Sequence, residues 1–314
     1  MRYRTLGSSG PEVSVVGLGC NNFGSRVDED GTRRVVDAAL ESGITLLDTA
    51  DVYGNRGGSE ELLGKALKGR RDRVVLATKF GHALTDDAPR SRGSREYIRS
   101  AIEASLKRLR TDWVDLYQYH RPDGITPIEE TLGALDELVR EGKVRHIGSS
   151  NFDARQVVEA DELARERGWT RFTSAQNHYS LLERDAEQEL LPTCERLGIG
   201  VLPYFPLASG LLTGKYRRGE PAPAGSRLVT RPERLTAEVF DRVEALEAFA
   251  AERGRSLLEV AIGGLAAMPA ISSVIAGATK PEQVRANAAA GEWEPSDGEL
   301  QALRAALDGV GVAG

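Results

Sequence analysis

Cysteine is almost missing from this chain: Cys20 and Cys194 are the only two in 314 residues. Two thiols build neither a disulfide scaffold nor a cysteine-rich metal cluster. Histidine is nearly as scarce, with His82, His120, His146 and His178 alone. No His-x-His pair follows the first β-like run, so a metal-dependent barrel hydrolase has no support and no metal is expected. The apolar runs fall well short of the roughly 20 residues a membrane span needs. The opening Met-Arg-Tyr-Arg-Thr-Leu-Gly lacks the apolar core of a signal peptide. A reducing cytoplasm is the expected compartment. The formal charge of −6 gives no general reason to bind nucleic acid or an anionic membrane. A Gly-x-Gly-x-x-Gly after a strand is also absent. Gly17-Leu18-Gly19 continues with the wrong spacing, which argues against a Rossmann dinucleotide site.

What is present describes a soluble globule, 40% apolar and 28% charged. Short β-like runs at 15–18, 45–47, 74–78, 114–119, 144–148, 174–176, 200–202 and 274–276 alternate with helical stretches. The helices are expected near 29–42, 59–68, 94–109, 126–141, 153–167, 186–197, 236–267 and 281–289. Parallel strands need crossover connections, so this alternation predicts a parallel sheet. Eight such units in one domain, residues 1–314, favour closure into a (β/α)8 TIM barrel over a doubly wound open sheet. Residues 3–6 and 12–15 flank Gly7-Ser8-Ser9-Gly10 and predict an N-terminal β-hairpin plugging the barrel bottom. About seventy residues separate the last two runs, room for extra helices near the C-terminus. The end, 308–314, is small and Gly-rich, and fraying is expected there.

Four polar side chains close these runs: Asp48, Tyr53 five residues later, Lys79 and His120. On neighbouring parallel strands they meet at one rim. Singly, each has an ordinary reading as a cap, an ion pair or a packing group. Together they can deliver a proton to a carbonyl oxygen. A phenol stays protonated at neutral pH and serves as the acid. A lysine cation beside it favours phenolate and makes it a better donor. Asp48 would hold Lys79, and His120 can hydrogen-bond the carbonyl oxygen.

Asp48-Thr49-Ala50-Asp51-Val52-Tyr53-Gly54, Ser59-Glu60-Glu61-Leu62-Leu63-Gly64 and Thr78-Lys79-Phe80-Gly81 resemble the motifs of the aldo-keto reductase family. Matching stretches at 148–152, 176–182, 204–216 and 277–287 extend the resemblance over nearly the whole chain. It implies a TIM barrel, usually NADPH as cofactor, and a tetrad of Asp48, Tyr53, Lys79 and His120 with Tyr53 as acid/base.

A nicotinamide cofactor would then lie across the rim. Ser150, Asn151 and Gln176 suit a carboxamide, and Tyr204 suits stacking on the ring. The turn Phe205-Pro206-Leu207-Ala208-Ser209-Gly210 offers backbone donors to phosphate. Lys215 and Arg227 match family positions that reach the cofactor phosphates, in a segment (207–235) with six cations against Glu220 and Glu233. Gly277-Ala278-Thr279-Lys280 opens a helix whose N-terminus suits an anion, with Gln283 and Asn287 one turn apart on it. Many family members carry Arg where Gln283 stands and Glu where Ala286 stands; that Arg normally helps hold a 2′-phosphate. NADP(H) is expected, with NAD(H) possible. Phe205 replaces the common Ser or Gly, so its turn is expected to differ. Asn21, Phe23 and His82 are expected to line a substrate pocket shaped by loops 21–26, 82–91, 121–127 and 228–232. His146 and His178 read as loop or packing residues. The expected partner is a small carbonyl or alcohol; the second reading is a cofactor-sensing protein like the family's potassium-channel β subunits.

Overall fold

Parallel pairing satisfies the backbone of buried apolar runs, and it is what forms in the computed structural model, which describes residues 1–84 and 89–309. β1 (Tyr3–Thr5) and β2 (Glu12–Ser14) make an antiparallel hairpin. Then follow β3 (Val16–Gly19), β4 (Leu46–Asp48), β5 (Val75–Phe80), β6 (Val114–Tyr119), β7 (Val144–Ser150), β8 (Phe172–Gln176), β9 (Gly200–Val201) and β10 (Val274–Gly277). These eight are parallel, in the order β10-β3-β4-β5-β6-β7-β8-β9. Backbone bonds draw the two edges together: Val201 N–H donates to Ala270 O (2.7 Å) and Ile275 N–H to Pro203 O (3.2 Å). The sheet therefore curls into the expected (β/α)8 TIM barrel.

Helices α1 (Glu29–Glu41), α2 (Tyr53–Ala66), α3 (Arg95–Leu109), α4 (Ile128–Arg140), α5 (Ala154–Arg167) and α6 (Leu190–Leu197) follow the first strands in turn. Their apolar stripes explain their seating. On α3, Ile98, Ile102, Leu106 and Leu109 are buried, and the Ser94 side chain caps the first turn by accepting from Tyr97 N–H. The stretch expected as one helix over 236–267 is two: α7 (Ala237–Glu252) and α8 (Leu257–Ala266). Ser256 and Glu259 form a capping box, which satisfies the N-terminal donors of a new helix and makes the break favourable. α9 (Pro281–Ala290) follows β10, and α10 (Asp297–Asp308) packs on α7. Of the end expected to fray, residues 310–314 lie outside the described residues. Among the described residues no helix is long and apolar enough to cross a membrane.

The hairpin does plug the barrel. Leu6 and Val13 are fully buried and pack on Leu46, Ala77, Leu116, Leu202 and Ile275, which point into the barrel. Ser8 N–H donates to Gly198 O (2.8 Å) and Gly7 N–H to Ser272 Oγ (3.1 Å), tying the turn to the strand ends. Side chains alternate along a strand, so the residues two further on also point inward. That next layer is Asp48, Lys79 and Gln118, all buried. The apolar plug thus floors a polar layer at the C-terminal rim. Truncating Leu6 to Ala should cost about 2–5 kcal/mol of stability in urea unfolding. A loss of less than about 0.5 kcal/mol, the size of an ordinary surface change, would show that the plug bears no load.

Candidate active site

Lys79 is wholly buried, and its Nζ donates to Asp48 Oδ2 (2.7 Å) and the Thr49 carbonyl (2.8 Å). The same Nζ lies 3.5 Å from the Tyr53 hydroxyl. The other carboxylate oxygen, Asp48 Oδ1, accepts from Gln118 Nε2 (3.2 Å) and Gln176 Nε2 (3.0 Å). Four strands, β4, β5, β6 and β8, therefore meet at one carboxylate and one ammonium. Gln118 was not expected from the sequence; its signal is the two-residue alternation Leu116, Gln118, His120 along β6.

Tyr53 is placed by backbone geometry. After it, Gly54, Asn55, Arg56 and Gly57 all have positive φ, so the right-handed part of α2 begins only near residue 58. A Cβ on Gly54 would sit 2.3 Å from Phe23 O, so glycine is required there. The Tyr53 and His120 rings meet edge to face at 5.7 Å. The four expected residues are thus brought together.

Their electrostatics refine the expectation. Burial raises the Tyr53 phenol above its ordinary value; Lys79 pulls it down but loses to burial. Burial also opposes the Lys79 charge, yet Asp48 and then Tyr53 prevail and hold the ammonium above the usual lysine range. His120 is pushed down to about 2 by burial, then by Lys79, His82 and Arg121. It is a neutral imidazole at physiological pH, and its buried Nδ1 has no hydrogen-bond partner among the described residues.

Asp48, Tyr53 and His120 floor one end of a cleft of about 540 Å³, and Lys79 is buried beneath it. Asn21, His82, Asn151, Gln176, Tyr204, Phe205, Pro206, Leu207, Ser209, Gly210, Lys215, Arg227, Gly277, Thr279, Gln283 and Asn287 line it as expected. Three expected residues do not. Phe23 is fully buried in the main core, because its loop turns the ring under the rim. Ser150 is buried behind Asn151, whose Nδ2 donates to its Oγ (3.1 Å). Lys280 is exposed, on the outside of the α9 N-terminus. Arg26 and Arg121 line the cleft without having been singled out. Residues 85–88 of the expected pocket loop lie outside the described residues.

Asn151 ties the cleft wall together. Its amide donates to the His120 carbonyl (2.9 Å), and its Oδ1 accepts from Tyr204 Oη (2.8 Å). Tyr204 stacks flat on His178, with centroids 5.4 Å apart and planes 6° apart, which fixes an aromatic wall. Left-handed φ at Asn151, Phe205, Ala208 and Ser209 concentrates backbone strain along this wall. Phe205 (φ 53) pays for a conformation that a glycine would take freely.

At the far end the residues suit phosphate. Ser209 and Gly210 both have positive φ, and a Cβ on Gly210 would strike Lys215 Nζ at 2.5 Å, so the ammonium sits directly over the turn. Arg227 donates to Asn22 Oδ1 (2.9 Å); burial and then Arg26 depress its basicity, a strain that an anion would relieve. Arg217 and Arg218 of the same basic segment instead pair with Glu247, Asp241 and Glu244 of α7. Gln283 Oε1 accepts from Thr279 N–H (2.8 Å), so this residue caps the turn before α9. Among the described residues no three His, Cys, Asp or Glu side chains converge as metal ligands.

A model of the "Aldo/keto reductase family" matches residues 15–308. The chain belongs to that family. It is 41% identical over 295 residues to "Uncharacterized oxidoreductase YrpG" of Bacillus subtilis (strain 168), covering 91% of this chain and 89% of that one. It is 36% identical over 299 residues to "Probable voltage-gated potassium channel subunit beta" of Oryza sativa subsp. japonica, covering 91% and 90%.

One buried acid stands behind Tyr53. Neither carboxylate oxygen of Asp51 has a hydrogen-bond partner among the described residues. Burial, then Glu60, pushes it up to about 8, against the pull of the Arg108 and Lys79 charges. Below about pH 4 the group is protonated folded and unfolded alike. Between there and about 8 only the folded chain keeps the proton, so its contribution to stability falls as pH rises. Asp51→Asn should remove that slope. Urea midpoints at pH 5 and pH 8 should converge in the variant relative to wild type; equal slopes would refute the buried neutral acid.

Proposed function

We propose that this protein is an NADP(H)-dependent oxidoreductase interconverting aldehydes or ketones with alcohols. The observation that carries this reading is the Tyr53 hydroxyl held beside Lys79 Nζ at the floor of a cleft whose other end is lined by Lys215 and Arg227. Membership of the aldo/keto reductase family supports the reaction class, and the Bacillus relative carries the name of an oxidoreductase. A nicotinamide cofactor bound along the cleft supplies the hydride that goes to the carbonyl carbon.

The chain's own residues do the rest. Tyr53, protonated because its pKa is raised, gives its proton to the carbonyl oxygen. The Lys79 ammonium balances the phenolate left behind, and Asp48 with Gln118 and Gln176 keeps that ammonium in place. Neutral His120 offers a ring nitrogen to the same oxygen without competing as an acid. Tyr204 supplies the flat wall, Asn151 holds it, and Ser209, Gly210, Lys215, Arg227, Thr279, Gln283 and Asn287 bind the dinucleotide arm. Tyr53→Phe should bind cofactor normally, by fluorescence titration, yet lose about 10²- to 10⁴-fold in kcat. Wild-type turnover in that variant would end the assignment of Tyr53.

NADPH is the proposed partner over NADH, because Arg26, Lys215 and Arg227 leave the far end of the cleft rich in positive charge. The Michaelis constant should be lower for NADPH, and Arg227→Ala should raise it about tenfold more for NADPH than for NADH, the scale of a charge-assisted hydrogen bond. A clear NADH preference in the wild type would overturn this choice. The name of the Oryza relative supports a second reading, a cofactor-sensing protein with little turnover. NADPH binding without reduction of any carbonyl in a broad panel would decide for it.

A further inference from the structure

The charged side chains that line the cleft are almost all cations. Arg26, Arg121, Lys215 and Arg227 line it, and among the described residues the only carboxylate in its lining is Asp48, already neutralised by Lys79. This sign is opposite to that of the whole chain, whose formal charge is −6. The cations also fall into two groups. Arg26, Lys215 and Arg227 share the phosphate end, where Arg26 and Arg231 act on Arg227. Arg121 follows His120 directly at the end of β6, and its charge is felt at His120, His82 and Tyr204.

Arg121 is exposed to the cleft and has no ion-pair partner among the described residues. Asp123, the acid nearest in sequence, is taken up by its own loop. It accepts from Gly93 N–H, Ile125 N–H, Thr126 N–H and the Thr126 hydroxyl. A guanidinium at the reacting end of a cleft, across from the phosphate end, faces the substrate rather than the cofactor. Its planar fork fits a carboxylate with two parallel hydrogen bonds. One guanidinium matches one negative charge, which favours a carboxylate over a phosphate dianion.

The geometry points to Arg121 as the anchor for a carboxylate on the substrate, making this protein a reductase of carbonyl compounds that carry an acid group. The inference rests on the reductase reading above. It is tested with 2-, 3- and 4-carboxybenzaldehyde, each against its methyl ester. The ester withdraws electrons more strongly, so intrinsic reactivity opposes the preference sought. At least one acid should exceed its ester about tenfold in kcat/KM, the size expected of one charge-assisted contact. Arg121→Gln should bring that ratio close to one, mainly through KM, and Arg121→Lys should keep part of it. The anchor is overturned if no acid outruns its ester, or if Arg121→Gln slows acid and ester alike. Reduction of neither would count against the reductase reading itself. Calorimetry then still decides on Arg121: wild type should bind benzoate more tightly than benzamide and Arg121→Gln should not, whereas equal affinities in wild type would remove the anchor.

Discussion

A lysine ammonium sealed inside a barrel is tolerable only with a carboxylate against it, and the Lys79–Asp48 pair is the contact on which this site depends. The side chains are 0% and 4% exposed, so neither charge has water to fall back on. Removing one partner of such a pair typically costs about 3–5 kcal/mol, because the other is left uncompensated. That penalty forces the rest of the arrangement. Asp48 Oδ1 needs donors, and Gln118 on β6 and Gln176 on β8 provide them; the ammonium needs acceptors, and the Thr49 carbonyl is one. Tyr53 then shares the ammonium's field, and His120 is kept neutral by burial and next by that ammonium.

The surroundings divide the labour between rigid and strained parts. The hairpin closes the barrel floor with Leu6 and Val13, beneath the polar layer. The strands fix Asp48, Lys79 and Gln118 by register. Most of the left-handed non-glycine residues lie at the rim, in the turn after Tyr53 and at Asn151, Phe205, Ala208 and Ser209. These are the places where backbone groups must face the cleft rather than a neighbouring strand.

Much of this is legible in the chain. The alternation of runs foretells the barrel, and the polar residues at the run ends foretell the tetrad, because strand ends on one rim are neighbours in any parallel barrel. The chain also foretells the start of the regular helix near residue 59 and the hairpin plug. Its reading fails where two forces compete locally. Residues 236–267 look continuously helical, but the Ser256–Glu259 capping box outweighs propensity. Phe23 looks like a pocket aromatic, but burying its ring against the core is more favourable than facing it to the cleft. The effect of Lys79 on Tyr53 has the expected sign; only the depth of the phenol shows that desolvation is larger.

The sequence by itself determined which chemical groups are available and in what strand order, because hydrophobic periodicity and crossover length leave few topologies open. Only the tertiary structure decided which of them share a field: that Gln118 completes the Asp48 cage, that His120 is neutral, that Arg217 and Arg218 leave the cleft for α7 while Arg121 remains in it. Charge interactions fall off with distance and depend on burial, and neither quantity is written in residue order.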